Sequence, residues 1–289
     1  MFALSRGVSL AIVTLALSSL TAADDVPIEE QPSDPSLAKI VLIAGPKTPK
    51  LKPGEHEYLA GCALLRNQLR QTPGVFPVVV EGGWPKNPET LTRAKAVVLF
   101  LEGGDVHPLL KDDRLKTMLD LESRKVGIVH LHSAIDYPKD FNDRTRTLAG
   151  AAWEKGYSQR AHWVSTFETF PDHPIFRGVS KFTIDDGWLW KLRFTPERTG
   201  ITPLLKTRSP KDMKTSDADA VVAWAYDRPQ GGRSFSFTGG HLHESFKQDG
   251  YRRFLVNGIL WSAGIEIPKD GAPIALDPVD LQRPLTTKP

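Results

Sequence analysis

A single cysteine, Cys62, stands in the 289 residues, so no intramolecular disulfide can form and stability has to come from core burial. An excess of one charge is missing as well. Lys and Arg number 37 against 34 Asp and Glu, interleaved rather than clustered, for a formal net charge of +3. No basic stripe results, and nucleic-acid binding gets no support. Long apolar runs are scarce. Residues 8–20 form the one near the N-terminus, short for a membrane span and followed by charged, proline-rich sequence. With Arg6 ahead of it and Thr21-Ala-Ala23 behind, residues 1–23 read as a secretion signal, with an uncleaved anchor as the alternative. The expected address is secreted or periplasmic. The chain contains neither an internal repeat nor the zinc spacing H-x-x-x-H.

The hydrophobic fraction of 40% and charged fraction of 25% suit a globular enzyme. Residues 24–38 are acidic with three prolines and read as a flexible leader. Residues 268–289, with Pro273, Pro278, Pro284 and Pro289, read as a tail that wraps the surface or lacks order. Residues 39–267 then form one domain. Within it, residues 40–44, 76–80, 96–101 and 125–131 are short apolar runs suited to strands. Residues 57–71 place Leu59, Cys62, Ala63, Leu65 and Leu69 at near-helical spacing and stop at Pro73-Gly74. Residues 112–124 put Leu115, Met118 and Leu119 on one face, and residues 138–150 read as a further helix. The order predicts an α/β fold, a mostly parallel sheet with helices on both faces. Residues 201–205, 220–225 and 234–238 read as further strands, and 251–263 as a closing amphipathic helix. Residues 141–198 are long, aromatic and irregular.

In such a sheet, ligands bind beyond the carboxyl ends of the strands. Four histidine segments follow apolar runs: Pro53-Gly-Glu-His-Glu-Tyr58, Glu102-Gly-Gly-Asp-Val-His107, His130-Leu-His-Ser133 and Gly239-Gly-His-Leu-His243. His132 stands at a strand end, where ligands and nucleophiles gather, whereas His130 reads as a core residue bonded to backbone. Ser133 fails the G-x-S-x-G test, and Cys62 reads as a small core side chain. His241 follows two glycines that allow close approach to a ligand, with His243 two positions on. Glu55 and Glu57 suit a helix N-terminus, a role that leaves His56 free to contact something else. Gly103 and Gly104, ahead of His107, are candidates to cradle an anion or a sugar hydroxyl. Asp186, beside Trp188, offers a carboxylate next to a ring platform for a sugar, or else a polar turn next to a core tryptophan. His56, His132 and His241, with Asp186, would meet the ligand count of a divalent metal such as zinc if the fold brought them together. A metal-free acid/base cluster is the alternative.

The ordered set of segments resembles the ThuA-like (trehalose utilisation) family. The matching pieces are residues 40–45, Pro53-Gly-Glu-His-Glu-Tyr58, Gly103-Gly104 with His107-Pro108, Gly127-Ile-Val-His-Leu-His-Ser-Ala134, His162-Trp163, Pro171-Asp-His-Pro-Ile-Phe-Arg-Gly178, Gly231-Gly-Arg-Ser-Phe-Ser-Phe-Thr-Gly-Gly-His-Leu-His243 and residues 254–264. The resemblance implies a class I glutamine amidotransferase-like fold, a flavodoxin-like three-layer sandwich, and a link to sugar metabolism. The chain departs from the family pattern at Lys47-Thr-Pro-Lys50, where relatives often carry histidine, and at Asp185-Asp-Gly-Trp188, where they often carry Asp-Glu before an aromatic. No cysteine stands at the elbow, so glutamine hydrolysis is not expected.

The combined expectation is an exported enzyme acting on a small-molecule sugar, keto-sugar or glycan. His132 and His241 form its centre and His56 is a third ligand or base. Glu55 and Asp186 act as acid/base or hydroxyl acceptors, and His107, Gly103, Gly104, Trp188 and His243 line the binding site. The alternative is a non-catalytic glycan- or partner-binding module. Oligomeric state is left open by the sequence.

Overall fold

The computed structural model describes residues 26–46, 48 and 51–282. The candidate secretion signal and residues 283–289 lie outside them. Seven strands form the central sheet in the order β2-β1-β3-β4-β11-β10-β9. They are β1 (Ala38–Ala44), β2 (Val75–Val80), β3 (Ala96–Phe100), β4 (Gly127–Leu131), β9 (Ile201–Lys206), β10 (Val221–Asp227) and β11 (Arg233–Phe237). The pairings from β2 through to β11 are parallel, while β10 runs antiparallel to both of its neighbours.

Strand β1 shows why the sheet is covered on both sides. Ile40, Leu42 and Ala44 point into one core and Val41 and Ile43 into the other, all fully buried. The first core is closed by α1 (Tyr58–Leu69) and α4 (Asp249–Ser262), through side chains such as Leu65 and Phe254. The second is closed by α2 (Arg114–Ser123) and α3 (Asn142–Ala149), through Met118 and Leu148. Each such side chain taken out of water contributes roughly 1.5–3 kcal/mol. Three layers result, as the alternating pattern predicted. Helix α3 begins at Asn142 rather than at residue 138, because Lys139–Phe141 makes a separate short 3-10 turn.

The irregular aromatic stretch resolves into small elements. Two-residue strands β5 (Ala151–Ala152) and β8 (Arg193–Phe194) pair with each other, and β6 (Gln159–Phe167) and β7 (Phe182–Trp190) form a long antiparallel hairpin. Trp163, Phe167, Phe182, Trp188 and Trp190 seat the hairpin on the first core. Its inward face also carries Ser165 and Asp186, polar residues that mask the period-two pattern in the sequence.

Parts of the leader and of the tail are fastened to the domain. Ile28 bridges to Val79 and the Glu29 N–H donates to the Val79 carbonyl at 2.8 Å, which covers the open edge of β2. At the other end, Ala272 and Ile274 join the first core, and α5 (Pro278–Leu281) follows. Asn67 donates to Asp280, and Gln68 to the Ala275 carbonyl. Among the described residues, no helix is long and apolar enough to cross a membrane.

Candidate metal centre

The sheet order reverses around β1, and the loops after β1, β3, β4 and β11 meet beyond their carboxyl ends. Leaving β4, the chain enters a 3-10 turn at His132, which adopts φ +54°. The elbow forms without glycine because the histidine itself takes the left-handed conformation, at a cost of roughly 1–3 kcal/mol. His56, in the loop after β1, has φ +52°. Two of the three clustered histidines are therefore held in a conformation that L-residues avoid, as is common at functional sites.

The imidazoles converge. His56 Nε2 lies 3.0 Å from His132 Nε2, and His241 Nδ1 lies 3.4 Å from the same atom. One ring nitrogen from each of the three falls within 4.8 Å of the others.

Proton positions follow from the remaining nitrogens. His132 Nδ1 faces the Thr238 carbonyl at 2.9 Å, an acceptor only, so Nδ1 carries the hydrogen and Nε2 is bare. His56 Nδ1 lies 2.8 Å from the Glu102 carboxylate and 2.9 Å from the Tyr58 hydroxyl. The Tyr58 hydroxyl donates to Glu102 at 3.3 Å. A bare Nδ1 against a carboxylate would be repulsive, so that nitrogen also carries its hydrogen. Two lone pairs then face each other across 3.0 Å, an arrangement that needs a cation between them or an added proton. Nitrogens bound tetrahedrally to one zinc at about 2.0–2.1 Å would stand roughly 3.3 Å apart. The donor set fits a divalent ion, with a carboxylate and a carbonyl behind two of the rings in the manner that orients metal-bound histidines.

Electrostatics agree. Burial, then the neighbouring His56 and His241, holds His132 well below the ordinary imidazole value despite the opposing Thr238 carbonyl. Burial, with His56 and His162 beside it, brings His241 to about 4. Burial works to raise the Glu102 carboxyl, but hydrogen bonds and charge from His56, and hydrogen bonds from Thr48 and the Gly103 N–H, outweigh it and keep the group low. His132 and His241 thus stay neutral, as ligands must, and the carboxylate behind His56 stays ionised. Glu55 accepts from the Lys52 N–H and places Oε1 3.8 Å from His241 Nε2. That hydrogen bond is the main reason its carboxyl lies below the ordinary value. A cavity of about 420 Å³ opens beside His56 and Tyr58, with Glu81 and Lys86 on its wall.

Of the residues singled out from the sequence, His56, His132, His241 and Glu55 come together and six others do not serve as expected. Trp188 is fully buried and donates to the Trp163 carbonyl at 2.8 Å, so its face is unavailable to a sugar ring. Asp186 is also fully buried and accepts backbone N–H groups from Gly187, Gly240 and His241 at 2.7–2.8 Å, facing no open site. His107 is stacked on Tyr137 and spans the Ala134 carbonyl and the Leu109 N–H within the core. His243 is buried against Phe246 and stands outside the three-histidine group. The Gly103-Gly104 pair packs under the His132 turn rather than cradling a ligand. A side chain at Gly103 would strike the Ser133 carbonyl, and the Gly104 N–H is committed to the Asp136 carbonyl. His130 is a core residue, 3.0 Å from the Tyr137 hydroxyl.

Three residues of the site carried no assigned role in the sequence reading. Glu102 stands two residues past the end of β3, a position that was a usable signal. Tyr58 opens α1 within the Glu55–Tyr58 segment. His162 lies on the exposed face of β6, its ring centroid 4.4 Å from that of His241. Only the hairpin's packing brings His162 to the site.

The trehalose utilisation family model, ThuA, matches residues 52–262, a span that includes all three clustered histidines. The chain belongs to the ThuA family. Among solved structures, a ThuA-like protein from Parabacteroides merdae aligns with a TM-score of 0.59 at 17% identity, covering 82% of this chain and 95% of that one. A ThuA-like protein from Bacteroides uniformis aligns with a TM-score of 0.54 at 15% identity, covering 81% and 94%. At these identities the ThuA-like neighbours support the shared fold. A glutamine amidotransferase from Thermotoga maritima aligns at a TM-score of 0.44 and 10% identity, covering 78% and 98%. No curated protein sequence matches the chain. Cys62, buried within α1 and pushed far above the ordinary thiol value by burial, has no nucleophilic role here.

Proposed function

We propose that this ThuA-family chain is an exported, carbohydrate-active enzyme that works on a sugar or keto-sugar with a divalent ion held by His56, His132 and His241. The observation that carries the reading is the 3.0 Å approach of His56 Nε2 to His132 Nε2 while each ring's other nitrogen is committed as a donor. The family's trehalose utilisation description supports the substrate class. When bound, such an ion supplies Lewis acidity at the reacting carbonyl or hydroxyl oxygen. Glu55 is the carboxylate placed to accept or return a proton there, being ionised and beside His241. Glu102 keeps the His56 ring turned toward the cluster. The cavity beside His56 and Tyr58 is of a size to take a sugar ring.

The test is elemental analysis of gently purified protein together with a turnover screen of oligosaccharides and their oxidised derivatives. About one equivalent of metal, and turnover lost in His132→Ala and His241→Ala without loss of folding, is the expected result. Less than about a tenth of an equivalent overturns the metal. Full turnover in both variants overturns the site.

A further inference from the structure

We infer that Asp186 and Gly187 are positioning residues for the metal centre, setting the place of His241 from the β6–β7 hairpin; the inference rests on the metal reading above. Asp186 sits on β7 opposite Trp163, and Gly187 sits opposite His162. The Asp186 carboxylate grips the loop after β11 at two successive backbone groups, the Gly240 N–H through Oδ2 and the His241 N–H through Oδ1, each at 2.8 Å. Ser245 Oγ reaches the same Oδ2 at 3.3 Å, and the Gly187 N–H closes the arrangement at 2.7 Å. A fully buried carboxylate is costly unless its hydrogen bonds are complete, so this one is secured by the backbone it holds.

Gly187 supplies the room. A methyl there would lie 3.0 Å from both Cβ and Cγ of His241 and 3.2 Å from His162 Cε1. One residue fixes the His241 backbone and the next clears space for its ring. The next residue along, Trp188, anchors the strand in the core, so the clamp has a rigid base. The hairpin, rather than the sheet, thus decides where the third imidazole stands.

The test uses the full chain, stripped of metal and titrated with Co²⁺ while the visible ligand-field bands are followed. Wild type, Asp186→Asn and Gly187→Ala are compared, each also in a His241→Ala background. Asn presents an amide N–H₂ where an N–H donor needs an acceptor, and Ala crowds the ring without touching that carboxylate. Expected are a Co²⁺ dissociation constant at least about tenfold higher in both variants, with altered bands, and no further weakening once His241 is Ala. A wild-type spectrum and affinity in both variants overturns the inference, and so does equal weakening in the His241→Ala background, the mark of a general structural defect. Imidazole NMR of the metal-free proteins gives the second readout. His241 signals should move in both variants while those of His107 and His130 stay. If wild type takes up no Co²⁺, the metal reading falls, and unmoved His241 signals then overturn the positioning role separately.

Discussion

The His56 N–H donates to the His241 carbonyl at 2.9 Å, so the two ligand-bearing loops are joined by backbone before any ion arrives. Glu55 bridges Leu242 in antiparallel fashion, and the His243 N–H donates to the Gly54 carbonyl at 2.8 Å, which extends the join on both sides. Loops from opposite ends of the chain thereby share one short ladder. Preorganisation of this kind lowers the ordering cost of capturing an ion.

Glu102→Gln should weaken metal binding by about 10–100-fold while leaving the fold intact. The amide retains size but loses the charge that holds the proton on His56 Nδ1. Calorimetric titration with Zn²⁺ measures it. Unchanged affinity would confine Glu102 to bonding Tyr58 and Thr48.

Acid should act on the metal-free protein through His241. Its folded value, about 4, lies below the ordinary 6.5, so between these two pH values only the unfolded chain takes up the proton. The stability contribution is complete above about pH 6.5, declines as pH falls, and is lost below about 4. Denaturant unfolding in chelator at pH 7.5, 5.5 and 4.5 should show a decline that is shallower in His241→Gln. An identical slope in the variant would remove His241 from the acid response.

Trp188→Ala should cost about 3–5 kcal/mol, the range for emptying an aromatic site in a core. Urea unfolding monitors it. A loss under about 1 kcal/mol, paired with weaker sugar binding, would restore the ring-platform role that burial denies it.

Glu29→Ala should destabilise by roughly 1–3 kcal/mol. Its carboxylate accepts from the Lys86 and Asn87 N–H groups at 2.7 and 2.8 Å and from the Thr90 hydroxyl at 2.9 Å, fastening the segment that covers β2. Limited proteolysis within residues 26–37 should accelerate in step. Equal cleavage rates would mean that the segment is held by other contacts.

By itself the chain determined the layers and the neighbourhood of the site. Runs such as residues 40–44 are apolar at every position, which only a sheet covered on both faces can use, and histidines just past such runs fall at the strand ends by geometry alone. His56, His132 and His241 were legible for that reason. Tertiary structure decided the rest. Whether Asp186 faces a ligand or a backbone, and whether Trp188 is a platform or a core residue, depends on how the hairpin lies on the sheet. The role of Glu102 depends on which ring reaches it from another loop, and no local spacing records that distance. Periodicity reports which face of an element is buried; it carries no information about which distant loop that face will meet.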